Sequence, residues 1–293
     1  MTLPKISRRK WLGLACLSGF YSKLNDDRDG GRLKIGLNAY SFNKPLTDGR
    51  MNLHQLLEFC ADHQIDAVDL TAYYFPGYPA VPPDEFLHEI KYNAFRKGID
   101  ISGTGVRNEF VTPDPEKRRA EIELVKRWIL AASKLGAPVI RIFAGHLPYD
   151  GHSREEVLGW VVNATKECVE FGRKNGVIVA VQNHNAFLRT AQQTIELIEK
   201  VDSPWFGQIL DIGSFRQDDP YREIEKCIPY AVNWQIKELV YQQGKEEKTD
   251  LARLFRLIKA TSYRGYLPLE TLGGDPFEKV PVFLQEARTA LKN

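Results

Sequence analysis

Four oxygen-bearing side chains stand at or near the ends of four consecutive apolar runs in the second half of the chain. The runs are short and rich in β-branched residues, which is typical of strands that are buried on both faces. Carboxylate and amide oxygens are ligands for hard or borderline divalent cations, so such groups would form a metal site if they met in space. The four candidate ligands are Gln182, Asp211, Gln235 and Glu270.

Three side chains near these strand ends are able to take or give a proton. Two of them, His184 and Lys237, each lie two residues beyond a candidate ligand, and the third is Glu270 itself. Imidazole, amine and carboxylate groups are common general acids and bases, so we predict these three as catalytic residues. Other polar residues that follow predicted strands are expected to bind the substrate, namely Tyr40, Glu109, His146 and Asn183.

The elements that must position these residues repeat along the chain as eight strand–helix units. Several of the helices begin at a capping signal, such as Asn52 with Gln55 or Thr190 with Gln193. Strict alternation implies right-handed crossovers and a parallel sheet. Eight units in about 260 residues match a single closed (β/α)8 barrel, an α/β fold whose strand ends meet on one face. A doubly wound open sheet is disfavoured, because no Gly-x-Gly-x-x-Gly follows the first strand.

Each candidate residue also has a purely structural interpretation. A glutamine at a strand end is often a hydrogen-bonding residue of a barrel rim, which is a strong alternative for Gln182 and Gln235. Asp211 stands before Ile-Gly and suits a turn, and Glu270 suits a solvated loop. The aromatic loop around Tyr73 suits packing as well as it suits contact with a sugar.

The ordered motifs at these strand ends resemble those of a known family. From about residue 33 to 290, the chain is similar to the xylose isomerase-like TIM barrels, which include sugar phosphate isomerases and epimerases. The resemblance implies an enzyme that acts on a small carbohydrate with the help of one divalent metal ion. The motifs are Val181-Gln-Asn-His184, Leu210-Asp-Ile-Gly213, Trp234-Gln-Ile-Lys-Glu238 and Leu267-Pro-Leu-Glu270.

Two of the four implied metal ligands differ from the family pattern. Similar proteins have Glu, Asp, His and Glu in this order, whereas this chain has Gln182 and Gln235 in place of the first Glu and the His. A glutamine carbonyl ligates a hard ion, so a divalent ion is still expected, with Mg²⁺ or Mn²⁺ favoured over Co²⁺ or Zn²⁺. Gln182 takes no proton near neutral pH, which disfavours a symmetric two-base epimerase.

These residues together predict a metal-dependent enzyme that removes the α-proton of a sugar or keto-sugar and stabilises an enediolate. A single base suits isomerisation or β-elimination. The alternative is a non-catalytic carbohydrate-binding protein on an isomerase barrel, for which both glutamine substitutions would be typical. The retention of Asp211, Lys237 and Glu270 argues against that alternative.

The charge distribution does not indicate a nucleic-acid-binding protein. The formal net charge is +2, but the first 24 residues carry five basic and no acidic residues, which leaves −3 for the rest. This body charge and only six histidines disfavour a metal-dependent nuclease on the same barrel. No run reaches the roughly 18 apolar residues of a spanning helix, so no integral membrane segment is expected. The sequence leaves the oligomeric state open, a homo-oligomer included.

The first 24 residues resemble a twin-arginine export signal. Arg8 and Arg9 precede an aromatic residue, a leucine and a short, weakly apolar run. We therefore predict export to the periplasm, and the alternative is a basic N-terminus of a cytoplasmic protein. Residues 25–31 are predicted to be a polar linker, and residues 32–293 to form the barrel.

Overall fold

The eight predicted strand–helix units form one closed barrel. A computed structural model describes residues 33–292, except residues 147, 150, 185 and 186. The predicted signal segment (1–24) and linker (25–31) lie outside the described residues, so export remains a prediction. Within the described ranges, no helix has the length and apolar character needed to cross a membrane.

Eight parallel strands of the described chain close the barrel in sequence order, and the first strand pairs with the last. The prediction of a single (β/α)8 barrel is therefore confirmed. The barrel strands are β1 (Lys34–Asn38), β2 (Ala67–Thr71), β3 (Asp100–Gly105), β4 (Val139–Ile142), β5 (Ile178–Gln182), β6 (Phe206–Asp211), β7 (Ala231–Lys237) and β10 (Tyr266–Glu270). Strands β8 (Leu239–Gln242) and β9 (Lys245–Lys248) form a separate two-stranded sheet.

Helices between the strands cover the outside of the barrel. The two capping signals form as expected: Asn52 and Gln55 exchange side-chain-to-backbone hydrogen bonds, and so do Thr190 and Gln193. These caps satisfy backbone N–H groups that would otherwise be unpaired at the helix start. The helices are α1 (Asn43–Thr47), α2 (Leu53–Asp62), α3 (Asp84–Arg96), α4 (Pro115–Leu135), α5 (Arg154–Lys174), α6 (Ala191–Val201), α7 (Pro220–Cys227), α8 (Leu251–Lys259) and α9 (Pro276–Lys292).

Alternation along the strands sorts side chains between the outer core and the barrel interior. In β5, Ile178 and Ala180 belong to a small apolar cluster that also contains Ile209 of β6 and is separate from the main core. Gln182 and Asp211 stand two residues beyond Ala180 and Ile209, so they lie on the same face of their strands. Both polar side chains are therefore held one layer above this apolar cluster, at the carboxyl end of the barrel.

A short hairpin follows β7 and was not anticipated from the sequence. Its antiparallel strands are β8 (Leu239–Gln242) and β9 (Lys245–Lys248). Gln243 and Gly244 connect them with φ angles of 48° and 76°. Two positive φ angles in a two-residue connection are typical of a type I′ turn, for which Asn-Gly is the stronger sequence signal. The hairpin lies beside the mouth of the barrel.

Candidate functional site

A cavity of about 550 Å³ opens where the barrel strands end. A second cavity of about 420 Å³ adjoins it beneath the β8–β9 hairpin, and His184, Lys237 and Glu270 line both. Sizes of this order are ordinary for small-molecule sites. Eight predicted site residues line the first cavity: Tyr40, Glu109, His146, Gln182, His184, Gln235, Lys237 and Glu270.

A lysine held between two carboxylates forms the floor of the site. The Lys237 ammonium is in direct contact with Glu270 Oε1 and lies 3.6 Å from Asp211 Oδ2. The side chains of Lys237, Glu270 and Asp211 are only 12%, 3% and 1% exposed. Strand register explains the contact, because Glu270 pairs directly with Lys237 across β10 and β7. The three charges therefore belong to the barrel framework rather than to a loop.

The two glutamines are bonded to each other and to the aspartate. Gln182 Nε2 donates to Asp211 Oδ2 at 2.7 Å and to Gln235 Oε1 at 2.6 Å. Ser214 Oγ also donates to Asp211 Oδ2, at 2.9 Å, and the Gly213 N–H donates to Asp211 Oδ1 at 3.0 Å. Asp211 is thus fixed by donors as well as by the nearby lysine. In this arrangement, both glutamines take part in hydrogen bonds at the rim of the barrel.

Asn183 does not line either cavity, in contrast to its predicted role in substrate binding. Its side chain is fully buried, and Nδ2 donates to the backbone oxygen of Asp211 at 2.8 Å. Its Oδ1 accepts from the Asp211 N–H at 2.9 Å and from Gln208 Nε2 at 2.8 Å. The residue follows an inward-facing glutamine, and alternation turns it away from the interior. Asn183 therefore positions Asp211.

Burial and charge act on the pKa values of the floor in different directions. Burial lowers the pKa of Lys237, but Asp211 and Glu270 outweigh this effect and hold it above its ordinary value. Burial raises the pKa of Glu270, and the nearby Lys237 only partly opposes the rise. Lys237 is therefore a stable cation, and Glu270 is a stronger proton acceptor than an exposed carboxylate.

Two histidines and a carboxylate form one wall of the cavity. The His146 backbone N–H donates to Glu109 Oε2 at 2.6 Å, and the rings of His146 and His184 lie 5.1 Å apart. Burial lowers the pKa of His184 to about 4, although Asp211 opposes the shift. Among the described residues, the buried Nδ1 of His184 has no hydrogen-bond partner. His184 is thus a neutral imidazole that lines both cavities.

Sequence reasoning missed two arginines at the site. Arg141 is 4% exposed, lies over the Phe143 ring at 4.1 Å, and donates from Nη2 to the Tyr73 hydroxyl at 3.1 Å. The Arg107 guanidinium lies over the Tyr73 ring, 4.2 Å from the ring centre. An arginine within the apolar run of β4 was the available signal, because a buried strand rarely holds a charge without a partner or a function.

One acid that was not predicted as a site residue, Asp69, is buried inside the barrel below the cavity. Asp69 is 3% exposed, and a Cβ added at Gly103 would come within 3.0 Å of its Oδ2, so the glycine leaves room for it. Burial raises the pKa of Asp69 to about 6, Arg141 opposing the shift and Glu270 adding to it. Its folded-state pKa therefore exceeds the unfolded value of 3.8.

We expect Asp69→Asn to stabilise the protein at pH 8 by up to about 3 kcal/mol. The raised pKa means that the stability contributed by Asp69 is fully present below pH 3.8 and is lost as the pH rises through about 6. The advantage of the variant should therefore shrink as the pH falls toward about 4. Urea unfolding at both pH values measures it, with Asp62→Asn as the control for an exposed helical aspartate. Equal stabilities of wild type and Asp69→Asn at pH 8 would contradict the prediction.

The predicted metal ligands are brought together, but their arrangement does not fit a divalent ion. No group of three or more His, Cys, Asp or Glu side chains in the described ranges is placed to hold a metal. Asp211 and Glu270 both face the Lys237 ammonium group. The Gln182 amide directs its N–H₂ toward Asp211 and Gln235. An N–H group offers no lone pair to a cation. Lys237 supplies the positive charge instead.

The fold is a closed (β/α)8 barrel, and sequence comparison gives the family. A profile of the xylose isomerase-like TIM barrel family matches residues 57–291, so the chain belongs to that family. The predicted resemblance is thereby confirmed. A comparison with the sequences of curated proteins gives no match.

Several solved structures share the fold over almost their whole length. D-psicose 3-epimerase from Clostridium cellulolyticum H10, determined with D-tagatose, is 16% identical with a TM-score of 0.73, covering 88% of this chain and 99% of that chain. The 3-keto-D-glucoside 4-epimerase from E. coli is 15% identical with a TM-score of 0.70, covering 88% and 100%. The probable 3-DHS dehydratase from Bacillus anthracis is 16% identical with a TM-score of 0.67, covering 89% and 99%. These likenesses show the fold.

Proposed function

We propose that this protein is an enzyme that abstracts a proton from the carbon next to the carbonyl group of a sugar or keto-sugar. The observation that carries the proposal is the buried contact between the Lys237 ammonium and the Glu270 carboxylate on the cavity floor. Such a pair places a proton acceptor beside a fixed positive charge, which is what enolisation requires. The family membership and the sugar epimerases and dehydratase with this fold support it.

Glu270 is the base in this reaction, and Lys237 stabilises the negative charge. The Glu270 carboxylate takes the proton, and the electron pair of the broken C–H bond forms a carbon–carbon double bond. The carbonyl π electrons move to oxygen, which becomes an enediolate oxygen beside the Lys237 ammonium. One preorganised donor of this kind contributes about 3–4 kcal/mol to transition-state stabilisation. Asp211, 3.6 Å from the ammonium, helps to keep it in place.

Two outcomes of the enediolate suit a site with one base. In isomerisation, Glu270 returns its proton to the former carbonyl carbon, and a proton moves between the two substrate oxygens. In β-elimination, the enediolate expels a hydroxyl group from the next carbon, and this group takes up the proton that Glu270 abstracted and leaves as water. His184 lines the cavity as a neutral imidazole and is the proposed relay for that proton. The Gln182 amide neither takes nor gives a proton near neutral pH, so we do not propose that this residue inverts the configuration of the substrate carbon.

The cavity walls offer the groups that a polyhydroxylated substrate needs. The rings of Tyr40 and Tyr73 meet edge to face with centroids 6.4 Å apart, and Arg107 covers Tyr73. Glu109 and His146 add an acceptor and a ring nitrogen on the same cavity. Aromatic faces pack on the C–H surfaces of sugars, while charged groups orient their hydroxyls. We therefore propose Tyr40, Glu109 and His146 as substrate-binding residues.

Exchange with solvent deuterium tests the proposal directly. Purified protein is incubated in D₂O with a panel of ketoses, aldoses and keto-glycosides, and NMR follows the α-carbon. We expect loss of the α-proton signal for at least one substrate, with formation of an isomer or of an elimination product. The panel includes unphosphorylated sugars, since a protein exported by the predicted signal would meet few phosphorylated ones.

The same experiment separates the enzyme from the carbohydrate-binding alternative. A sugar that binds in calorimetry but neither exchanges its α-proton nor changes chemically would contradict the proposed function and favour a binding protein. Heat-denatured protein controls for spontaneous enolisation. The variant Glu278→Gln controls for the loss of a carboxylate away from the cavity, because Glu278 is exposed in the first turn of α9.

A further inference from the structure

The amide groups of the site are oriented for hydrogen bonding rather than for metal ligation. Gln182 Nε2 contacts both Asp211 Oδ2 and Gln235 Oε1, at 2.7 and 2.6 Å. Because carboxylate oxygens accept hydrogen bonds, the Gln182 amide presents its N–H₂ to Asp211 in this contact. That donor then uses the oxygen of Gln235 as well. Three of the four expected metal ligands are therefore committed to one hydrogen-bonded group.

The positive charge of Lys237 lies beside the two carboxylates of the site. Lys237 contacts Glu270 and lies 3.6 Å from Asp211, the two carboxylates that a divalent ion would need most. All three side chains are largely or fully buried. A divalent ion placed between these carboxylates would meet an ammonium group within a few ångströms, and like charges repel strongly where water is excluded. The chain thus carries its own cation at this position.

We infer that the Lys237 ammonium takes the place of a divalent metal ion, so that this family member binds its substrate and acts on it without a metal. The ammonium donates a hydrogen bond to the substrate carbonyl oxygen and stabilises the negative charge that forms there in the enediolate. The catalytic part of this inference rests on the proposed function. The part that concerns metal binding does not rest on the proposed function, because metal binding is measured separately from activity.

Metal binding by the full-length wild-type protein is the first test. The protein is stripped with chelator and dialysed, and Mn²⁺ is added while calorimetry and the paramagnetic resonance signal of free Mn²⁺ are followed. We expect no stoichiometric site with a dissociation constant below about 1 mM, the range of the weakest protein sites for hard cations. One Mn²⁺ per chain bound more tightly than this, and lost in Asp211→Asn, would overturn the inference.

Variants test whether the lysine itself excludes the ion. Gln182→Glu with Gln235→His restores the donors that the family resemblance implies, and the triple variant adds Lys237→Met. We expect the triple variant to bind Mn²⁺ at least about 100-fold more tightly than wild type, and at least about 10-fold more tightly than the double variant. Equal affinity of the double and triple variants would overturn the exclusion by Lys237. If the triple variant fails to fold, micromolar binding by the folded double variant would also overturn it.

Activity provides a separate reading. Once a substrate is found by deuterium exchange, chelator is expected to leave the exchange rate unchanged, and added Mn²⁺ or Mg²⁺ is expected not to raise it. A rate that falls at least about 10-fold with chelator and returns with metal would refute metal-independent catalysis. If no sugar exchanges, the proposed function fails, while the Mn²⁺ titration still decides whether the site holds a metal.

Discussion

Replacing Lys237 with methionine is expected to destabilise the protein by about 3–5 kcal/mol, because it leaves two buried carboxylates without their cation. Methionine keeps much of the length of lysine but has no charge. The same substitution should lower kcat/KM at least about 100-fold, since the enediolate oxygen loses its fixed donor. Urea unfolding and steady-state kinetics measure the two effects.

Lys126 offers a matched control for the loss of a paired lysine. Its ammonium also contacts two carboxylates, Glu123 at 3.0 Å and Glu167 at 2.7 Å, but these are 47% and 37% exposed. Lys126→Met should therefore cost no more than about 1 kcal/mol and leave kcat/KM unchanged. A similar small cost for Lys237→Met would contradict the picture of a buried charge cluster.

A double variant separates stability from catalysis. Adding Glu270→Gln to Lys237→Met removes one of the two uncompensated carboxylates, while Asp211 keeps its donors from Gln182, Ser214 and Gly213. We expect the double variant to regain at least about half of the lost stability. Its activity should stay lost, because both the base and the cation are gone. Recovery of activity with stability would mean that Lys237 acts only through the fold.

Much of this fold follows from patterns that are local in the sequence. Each barrel strand is a short apolar run, and the helices begin at residues whose side chains cap them, such as Asn52 and Thr190. The residues at the strand ends then had to meet, because closing a parallel barrel brings those ends together. Asp211, Lys237 and Glu270 are therefore predictable from the sequence, although the first and the last lie 59 positions apart.

The positions of the side chains that were not predicted depend on the direction of each side chain from its strand and on how the strands pair across the barrel. Asp69 and Arg141 sit within strands rather than at their ends, so only the direction of each side chain places them in the interior. Asn183 is adjacent to an inward-facing glutamine and was assigned to the cavity, whereas alternation turns it to the other face. A contact as specific as that between Lys237 and Glu270 requires the register of β7 against β10, which no local pattern supplies.

Glu270→Gln is expected to reduce kcat by about 10²- to 10⁴-fold, the usual contribution of a general base. Glutamine has nearly the shape of glutamate and still offers an oxygen to Lys237, but it takes no proton near neutral pH. Lys237 keeps its interaction with Asp211, so the fold should persist. KM should change much less than kcat, because the substrate loses an interaction that acts mainly in the transition state.

The exchange of the α-proton distinguishes a base from a residue that merely orients Lys237. Glu270→Gln should bind the sugar in calorimetry yet show almost no deuterium uptake, while Glu270→Asp, which keeps a carboxylate at a shorter reach, should recover part of the rate. If Glu270→Gln exchanges within about 3-fold of wild type, the base lies elsewhere, and His184 becomes the candidate because its Nδ1 is unpartnered among the described residues. His184→Gln would then abolish the exchange, whereas in the proposed mechanism it slows only the later proton relay.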